Sequence, residues 1–179
     1  MRICPPLCAG DCPENDLEEP GLLDKRVLVL GCGNVLFGDD GFGPAVVDYF
    51  RDHFAAPDDA ALIDAGISVR NILFDVAIGE GGTRKIVIVD AVDAGRTPGE
   101  IFSLDVSEIP EKKIDDFSMH QIPTSNLLRE IKELRRLEVR VICAQVASIP
   151  ESVRPGLSEA LVRALPLACE KILEEIRRA

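Results

Sequence analysis

Val27-Leu28-Val29-Leu30-Gly31-Cys32-Gly33-Asn34-Val35-Leu36-Phe37-Gly38-Asp39-Asp40-Gly41-Phe42-Gly43-Pro44 is the stretch that decides the fold. A short apolar run, continuous in the manner of a buried parallel strand, breaks into glycines and acids and then meets a proline suited to a first helical turn. Strand, loop and helix in that order are the opening unit of an α/β sheet. The acids fall at the carboxyl edge of that sheet, where such folds bind their ligands.

Working outward, the first strand is expected over Arg26 to Gly31, and the helix from Pro44 to about Phe54 carries Ala45, Val46, Tyr49 and Phe50 at helical spacing. Ala61 to Asp64 reads as a second strand ending in Asp64-Ala65-Gly66, and Val69, Ile72, Leu73 and Val76 form the stripe of a helix over Val69 to Ile78. Lys85 to Val89 is a third strand, terminating in a loop that begins at Asp90. Glu100 to Val106 follows too soon for a helical crossover, so it is expected to be antiparallel and at a sheet edge. A polar loop over residues 107–120 leads to a helix capped by Thr124 or Ser125 and running to about Leu137. A strand over Val139 to Val146 and a helix over Ser158 to Arg178 complete the order. The expected architecture is a three-layer α/β/α sandwich around a mostly parallel, twisted sheet of about five strands with one antiparallel edge strand.

The chain has 179 residues, which favours one ordinary domain. Residues 1–21, with three cysteines, four prolines and several acids, read as a tail outside a single domain over residues 22–179. The net charge of -11 argues against nucleic acid as a partner. No apolar run approaches the roughly 18 residues of a membrane span, and Met1 is not followed by a secretory pattern, so a cytoplasmic protein is expected. A monomer or weak oligomer is the expected state. Cys32, Cys143 and Cys169 lie in or beside apolar segments and read as reduced core residues. The spacing Cys4-x3-Cys8-x3-Cys12 fits soft-metal ligation but is an incomplete tetrahedral set.

Three chemistries compete for the opening loop. Gly31-x-Gly33 imitates a dinucleotide fingerprint, but the third glycine position holds Leu36, and Asp39 and Asp40 would set negative charge against a pyrophosphate. A thiol nucleophile would need Cys32 to meet one of only two histidines, His53 and His120, and His53 reads as a solvated helix-end residue. The third is a cation site. Asp40, Asp90 and His120 each fall in a loop at the same sheet edge, two oxygen ligands and a nitrogen that leave coordination positions open for a divalent ion. Helix-capping acids and a turn histidine are the structural alternative.

Gly31-x-Gly33-Asn34-x-Leu36-x-x-Asp39-Asp40-Gly41-x-Gly43, with Asp64-x-Gly66, Val89-Asp90-Ala91 and Ser118-x-His120-Gln121 in order, resembles the hydrogenase maturation endopeptidases over roughly residues 25 to 177. The opening phrase is most similar to the branch serving deazaflavin-reducing hydrogenases of methanogenic archaea, whereas the cysteine-bearing tail departs from the family. The resemblance implies an aspartyl-type endopeptidase that removes a C-terminal extension from the nickel-loaded large-subunit precursor of a nickel-iron hydrogenase. It implies that nickel comes with the substrate, that no organic cofactor is needed, and that Asp40, Asp90 and His120 are the nickel-recognising and catalytic residues. The first of these positions is commonly glutamate or aspartate in the family.

Metal-assisted hydrolysis is then the expected chemistry, the ion polarising the scissile carbonyl or activating water. Gly31, Gly33 and Gly41 are expected to keep the loop open to substrate, with Asn34 holding the turn or binding substrate and Asp64 supporting the site. The competing functions are a nickel-binding chaperone that does not cleave the precursor and a nucleotide-binding α/β enzyme.

Overall fold

A computed structural model describes residues 21, 25–79, 81–105 and 125–179. The expected tail with Cys4, Cys8 and Cys12, the polar loop, the helix cap at Thr124 and His120 lie outside the described residues.

Five strands form one sheet in the order β2-β1-β3-β5-β4: β1 (Val27–Cys32), β2 (Ala60–Gly66), β3 (Lys85–Val92), β4 (Ile101–Asp105) and β5 (Glu138–Gln145). β1 pairs in parallel with β2 and β3, and β3 with β5, while β4 runs antiparallel along the outer edge of β5. The central strands are apolar on both faces because helices cover both. Val27, Val29, Val87, Val89 and Ile142 pack toward α1 (Phe42–His53) and α4 (Glu159–Arg177). Leu28, Leu30, Ile86, Ile88, Val139 and Val141 face α2 (Val69–Ile78) and α3 (Ser125–Arg135). Each such side chain, fully withdrawn from water, contributes about 1.5–3 kcal/mol.

β3 is longer than its apolar run indicates. β5 continues alongside it and supplies ladder partners beyond Val89, pairing Asp90 with Cys143, Ala91 with Ala144 and Val92 with Gln145. Asp90 therefore stands inside a strand, where a loop was expected. The start of α1 also shifts: a 3-10 turn over Gly38–Gly41 feeds into it, and Pro44 sits at the third helical position, still within the turn whose N–H groups lack intrahelical partners.

The approach of α1 to the sheet is set by glycine. A Cβ on Gly43 would lie 2.2 Å from the Cys32 carbonyl oxygen and 2.5 Å from that of Val89, and one on Gly31 would lie 2.4 Å from the Gly43 carbonyl oxygen. With no side chains between them, helix and strand backbones meet directly. From β1 the chain moves by α1 to β2 on one side, and the later strands β3 and β5 lie on the other. The sheet thus has its topological switch point between the carboxyl ends of β1 and β3, the crevice in which α/β sheets bind ligands.

Candidate active site

Two carboxylates flank that crevice. Asp40, in the 3-10 turn after β1, and Asp90, near the end of β3, are both buried, 9% and 5% exposed. Asp40 is held by the turn it belongs to: its Oδ2 accepts the Asn34 backbone N–H at 2.9 Å. Asn34 in turn uses its own Oδ1 to accept the Leu36 N–H at 3.0 Å, and its carbonyl accepts the Phe37 N–H at 3.0 Å. Of the two roles expected for Asn34, holding the turn is the one its contacts display.

Burial pushes the Asp90 carboxyl up to about 7; the Ala91 N–H, donating to Oδ1 at 2.8 Å, works against that shift, and the neighbouring Asp40 charge adds to it. Low-dielectric surroundings and a like charge both disfavour a second carboxylate. Such a pair takes up either a proton or a cation. Perturbed carboxyls of this kind cluster at functional sites.

Asp39 does something different from its neighbour. It is 1% exposed, and its carboxylate accepts N–H groups from Ala147 at 2.8 Å, Ser148 at 3.3 Å and Ser158 at 2.7 Å, plus the Ser158 hydroxyl at 3.0 Å. Asp39, which the sequence reading left outside the cation set, is held by hydrogen bonds to the chain itself. Backbone donors from the segment after β5 satisfy it, and Ser158 is itself the N-cap of α4, accepting from Leu161 N–H. A second tie joins the same segments, with Arg154 N–H donating to the Leu36 carbonyl at 2.8 Å and Gly38 N–H to that of Arg154 at 2.9 Å.

The loop glycines are closed in by the chain itself. A Cβ on Gly33, whose φ is +124°, would fall 1.8 Å from the Asp40 carbonyl oxygen, and one on Gly41 would fall 2.9 Å from Val35 Cα. Glycine at these positions allows the turn to fold tightly on itself, with Asp40 held within it. Gly33 N–H also donates to the Gly66 carbonyl at 3.1 Å, which brings the end of β2 alongside. There β2 carries an irregularity, with Gly31 opposite Asp64 and Cys32 opposite Gly66, and Asp64 stands exposed at the rim.

Cys32 is fully buried, and burial with the charges of Asp90 and Asp64 raises its thiol well above the ordinary range. That is the reverse of what a thiolate nucleophile needs. Cys143 and Cys169 are likewise buried free thiols, each pushed up to about 12 by burial. His53 is exposed, stacked on the Tyr49 ring with centroids 4.0 Å apart. A pyrophosphate at the start of α1 would meet the buried carboxylate of Asp40 in the turn that feeds the helix.

Gln145 was not singled out by the sequence, although an amide closing a buried apolar strand is itself a signal. Its Oε1 accepts the N–H groups of Ala94 at 2.8 Å and Arg96 at 3.0 Å, while its Nε2 donates to Asp93 Oδ1 and to the Val146 carbonyl, both at 3.0 Å. The loop leaving β3 after the Asp90 strand is thereby fixed to the end of β5. Among the described residues no three His, Cys, Asp or Glu side chains form a metal-binding cluster; His120, the expected third member of the set, lies outside them.

Residues 44–175 match the family model described as hydrogenase maturation protease. The chain is 38% identical over 155 residues to a putative hydrogenase maturation protease of Methanocaldococcus jannaschii, covering 86% of this chain and 98% of that one. It is 37% identical over 158 residues to the coenzyme F420 hydrogenase subunit delta of Methanothermobacter thermautotrophicus, covering 86% and 96%. Among solved structures it is similar to the hydrogenase maturating endopeptidase HybD from Escherichia coli, with a TM-score of 0.64 at 26% identity, covering 86% of this chain and 93% of that one.

Proposed function

The chain belongs to the hydrogenase maturation protease family, and from that premise we propose that Asp40, Asp90 and His120 together recognise the nickel carried by a large-subunit precursor and direct hydrolysis beside it. The protein is a peptidase that removes the C-terminal extension of a nickel-iron hydrogenase large subunit. The observation that supports the nickel-directed reading is the state of Asp90: buried, next to Asp40, and pushed up to about 7. An incoming divalent ion would exchange for the proton and relieve the repulsion, so the site is completed by the substrate's own metal.

In this reading Asp40 and Asp90 supply two hard oxygen ligands and His120 a nitrogen. Nickel held by these residues would supply a Lewis acid able to polarise the scissile carbonyl or lower the pKa of an attacking water. Cys32, protonated and buried, takes no part. Asp39, Asn34 and Gly33 hold the loop so that Asp40 arrives in place. The processed enzyme is taken to be a deazaflavin-reducing hydrogenase, in keeping with the 37% identity to the coenzyme F420 hydrogenase subunit delta. We take residues 22–179 as the catalytic domain, with residues 1–21 as a tail outside it, acting in the cytoplasm as a monomer or weak oligomer. No helix among the described residues is long and apolar enough to cross a membrane.

Intact-mass measurement of the precursor tests the reading. Wild-type protein shortens the nickel-loaded precursor and leaves the nickel-free one unchanged, whereas Asp40→Asn, Asp90→Asn and His120→Ala fold and leave both uncut. Normal processing by the three variants overturns the assignment, and binding of the precursor by wild type with no mass change indicates a chaperone.

A further inference from the structure

Beside the acid pair, on the side of the sheet away from β2, an open cleft of about 430 Å³ runs between the loop after β3 and the segment after β5. Asp93, Gly95, Arg96 and Pro98 form one wall, and Ala147, Ser148 and Ile149 the other, over a floor of Gln145 and Val146. Both walls are continuous with the site. The first begins three residues beyond Asp90 on the same strand end, and the second is hydrogen-bonded at Ala147 and Ser148 to Asp39, the neighbour of Asp40.

The cleft is also rigidly built. Gln145, 3% exposed, makes four hydrogen bonds, three of which tie the floor to the 93–96 wall and one of which runs within the floor to Val146. Arg96 is fixed twice, through an ion pair to Glu100 at 2.7 Å and by its guanidinium lying 4.3 Å from the Phe102 ring centroid. An open cleft whose lining combines the charged Asp93 and Arg96, the Gln145 amide and the apolar Val146 and Ile149 suits an extended peptide better than a compact apolar ligand. Its volume admits a few residues in single file and excludes a folded body. The loops following β1 and β2 offer the opposite surface: exposed Val35, Leu36 and Ile67, protruding side chains suited to packing against a folded partner.

We propose that this cleft is the binding site for the precursor's C-terminal extension, which lies extended between the 93–98 and 147–149 walls so that the scissile bond falls over Asp40 and Asp90. The inference rests on the acid pair being the cleavage centre. It sets the direction of the substrate: the segment to be discarded runs toward β5 and the mature body faces the β1 and β2 loops.

Ser148 is exposed, and its contact with Asp39 uses only its backbone N–H, so its side chain can be replaced without disturbing the loop tie. The test uses the full chain with its nickel-loaded precursor. Ser148→Trp is expected to lower kcat/KM for processing at least tenfold while its thermal midpoint stays at the wild-type value. In parallel, p-benzoylphenylalanine at position 148 is expected, on irradiation, to crosslink to residues of the extension when the adduct is mapped by mass spectrometry. Wild-type kinetics for Ser148→Trp, or crosslinks that map to the mature body, overturn the cleft assignment while wild-type cleavage leaves the protease reading standing. Absence of cleavage by wild type itself removes the reading on which the cleft depends.

Discussion

Asp39 and Ser158 stand 119 positions apart in the chain and meet twice, the backbone N–H of Ser158 donating to Oδ1 of Asp39 at 2.7 Å and its hydroxyl to Oδ2 at 3.0 Å. One carboxylate thus joins the turn that carries Asp40 to the N-cap of α4 and, through Ala147 and Ser148, to the segment leaving β5. Asp39→Asn places an N–H₂ group against backbone donors and leaves one of them buried without an acceptor. The expected loss is about 2–3 kcal/mol of stability. The variant should also process precursor poorly even where it remains folded, because Asp40 loses the frame that orients it. Chemical denaturation beside a processing assay at low temperature checks both, and wild-type stability would show that the clamp is not structural.

The contrast between these adjacent acids marks the limit of what was legible in the sequence. Gly31 to Gly43 identified the sheet edge and the crevice, and the unbroken apolar runs Val27 to Leu30 and Ile86 to Val89 identified a core covered on both sides. Nothing in the order Asp39-Asp40 says which carboxylate faces the crevice. That is decided by backbone N–H groups more than a hundred residues away. The boundary of β3 was missed for a related reason: a strand's length is set by its partner, and β5 supplied it. Gln145 was overlooked because one amide at the end of an apolar run acquires meaning only when the loop it grips is seen in space.

Asp90 makes stability depend on pH with a definite sign. Its folded carboxyl is raised from 3.8 to about 7, so between those values the folded chain keeps a proton that the unfolded chain releases. Its contribution is complete below pH 4 and is lost as pH rises through 7. Asp90→Asn removes the charge and should unfold at a higher temperature than wild type at pH 8, by up to roughly 4 kcal/mol, with the gap closing toward pH 4. Thermal melts across that range provide the check, and equal midpoints at pH 8 would contradict the burial argument. Capture of nickel-loaded precursor by wild type should weaken below pH 7, where the proton competes with the metal.

Glycine at position 43 is required by contact rather than by dihedral angle. A methyl there would stand 2.2 Å and 2.3 Å from the backbone oxygen and nitrogen of Cys32. Neither can yield without separating α1 from β1, so Gly43→Ala should lose more than about 4 kcal/mol and fail to accumulate as folded protein. Gly95→Ala offers the comparison: its Cβ meets nothing within 4 Å, and only the φ of +69° opposes it. A cost of about 1 kcal/mol is expected there. Comparable yields and melting points for the two variants would refute the packing account.

At the opposite edge of the sheet, Lys85 separates stability from chemistry. Its ammonium is wholly buried and donates to the Glu175 carboxylate at 2.7 Å and the Glu175 carbonyl at 2.9 Å, with Glu138 at 3.4 Å. Replacing the lysine alone strands a largely buried carboxylate, so Lys85→Met is expected to cost about 3–5 kcal/mol. Lys85→Met combined with Glu175→Leu removes both buried charges and should recover most of that loss. Because this cluster begins β3 at the end away from Asp90, the folded fraction of either variant should cleave nickel-loaded precursor at the wild-type rate. Stability is read from denaturant midpoints and activity per folded molecule from intact mass; a fall in that specific activity would mean that the two ends of the strand are coupled.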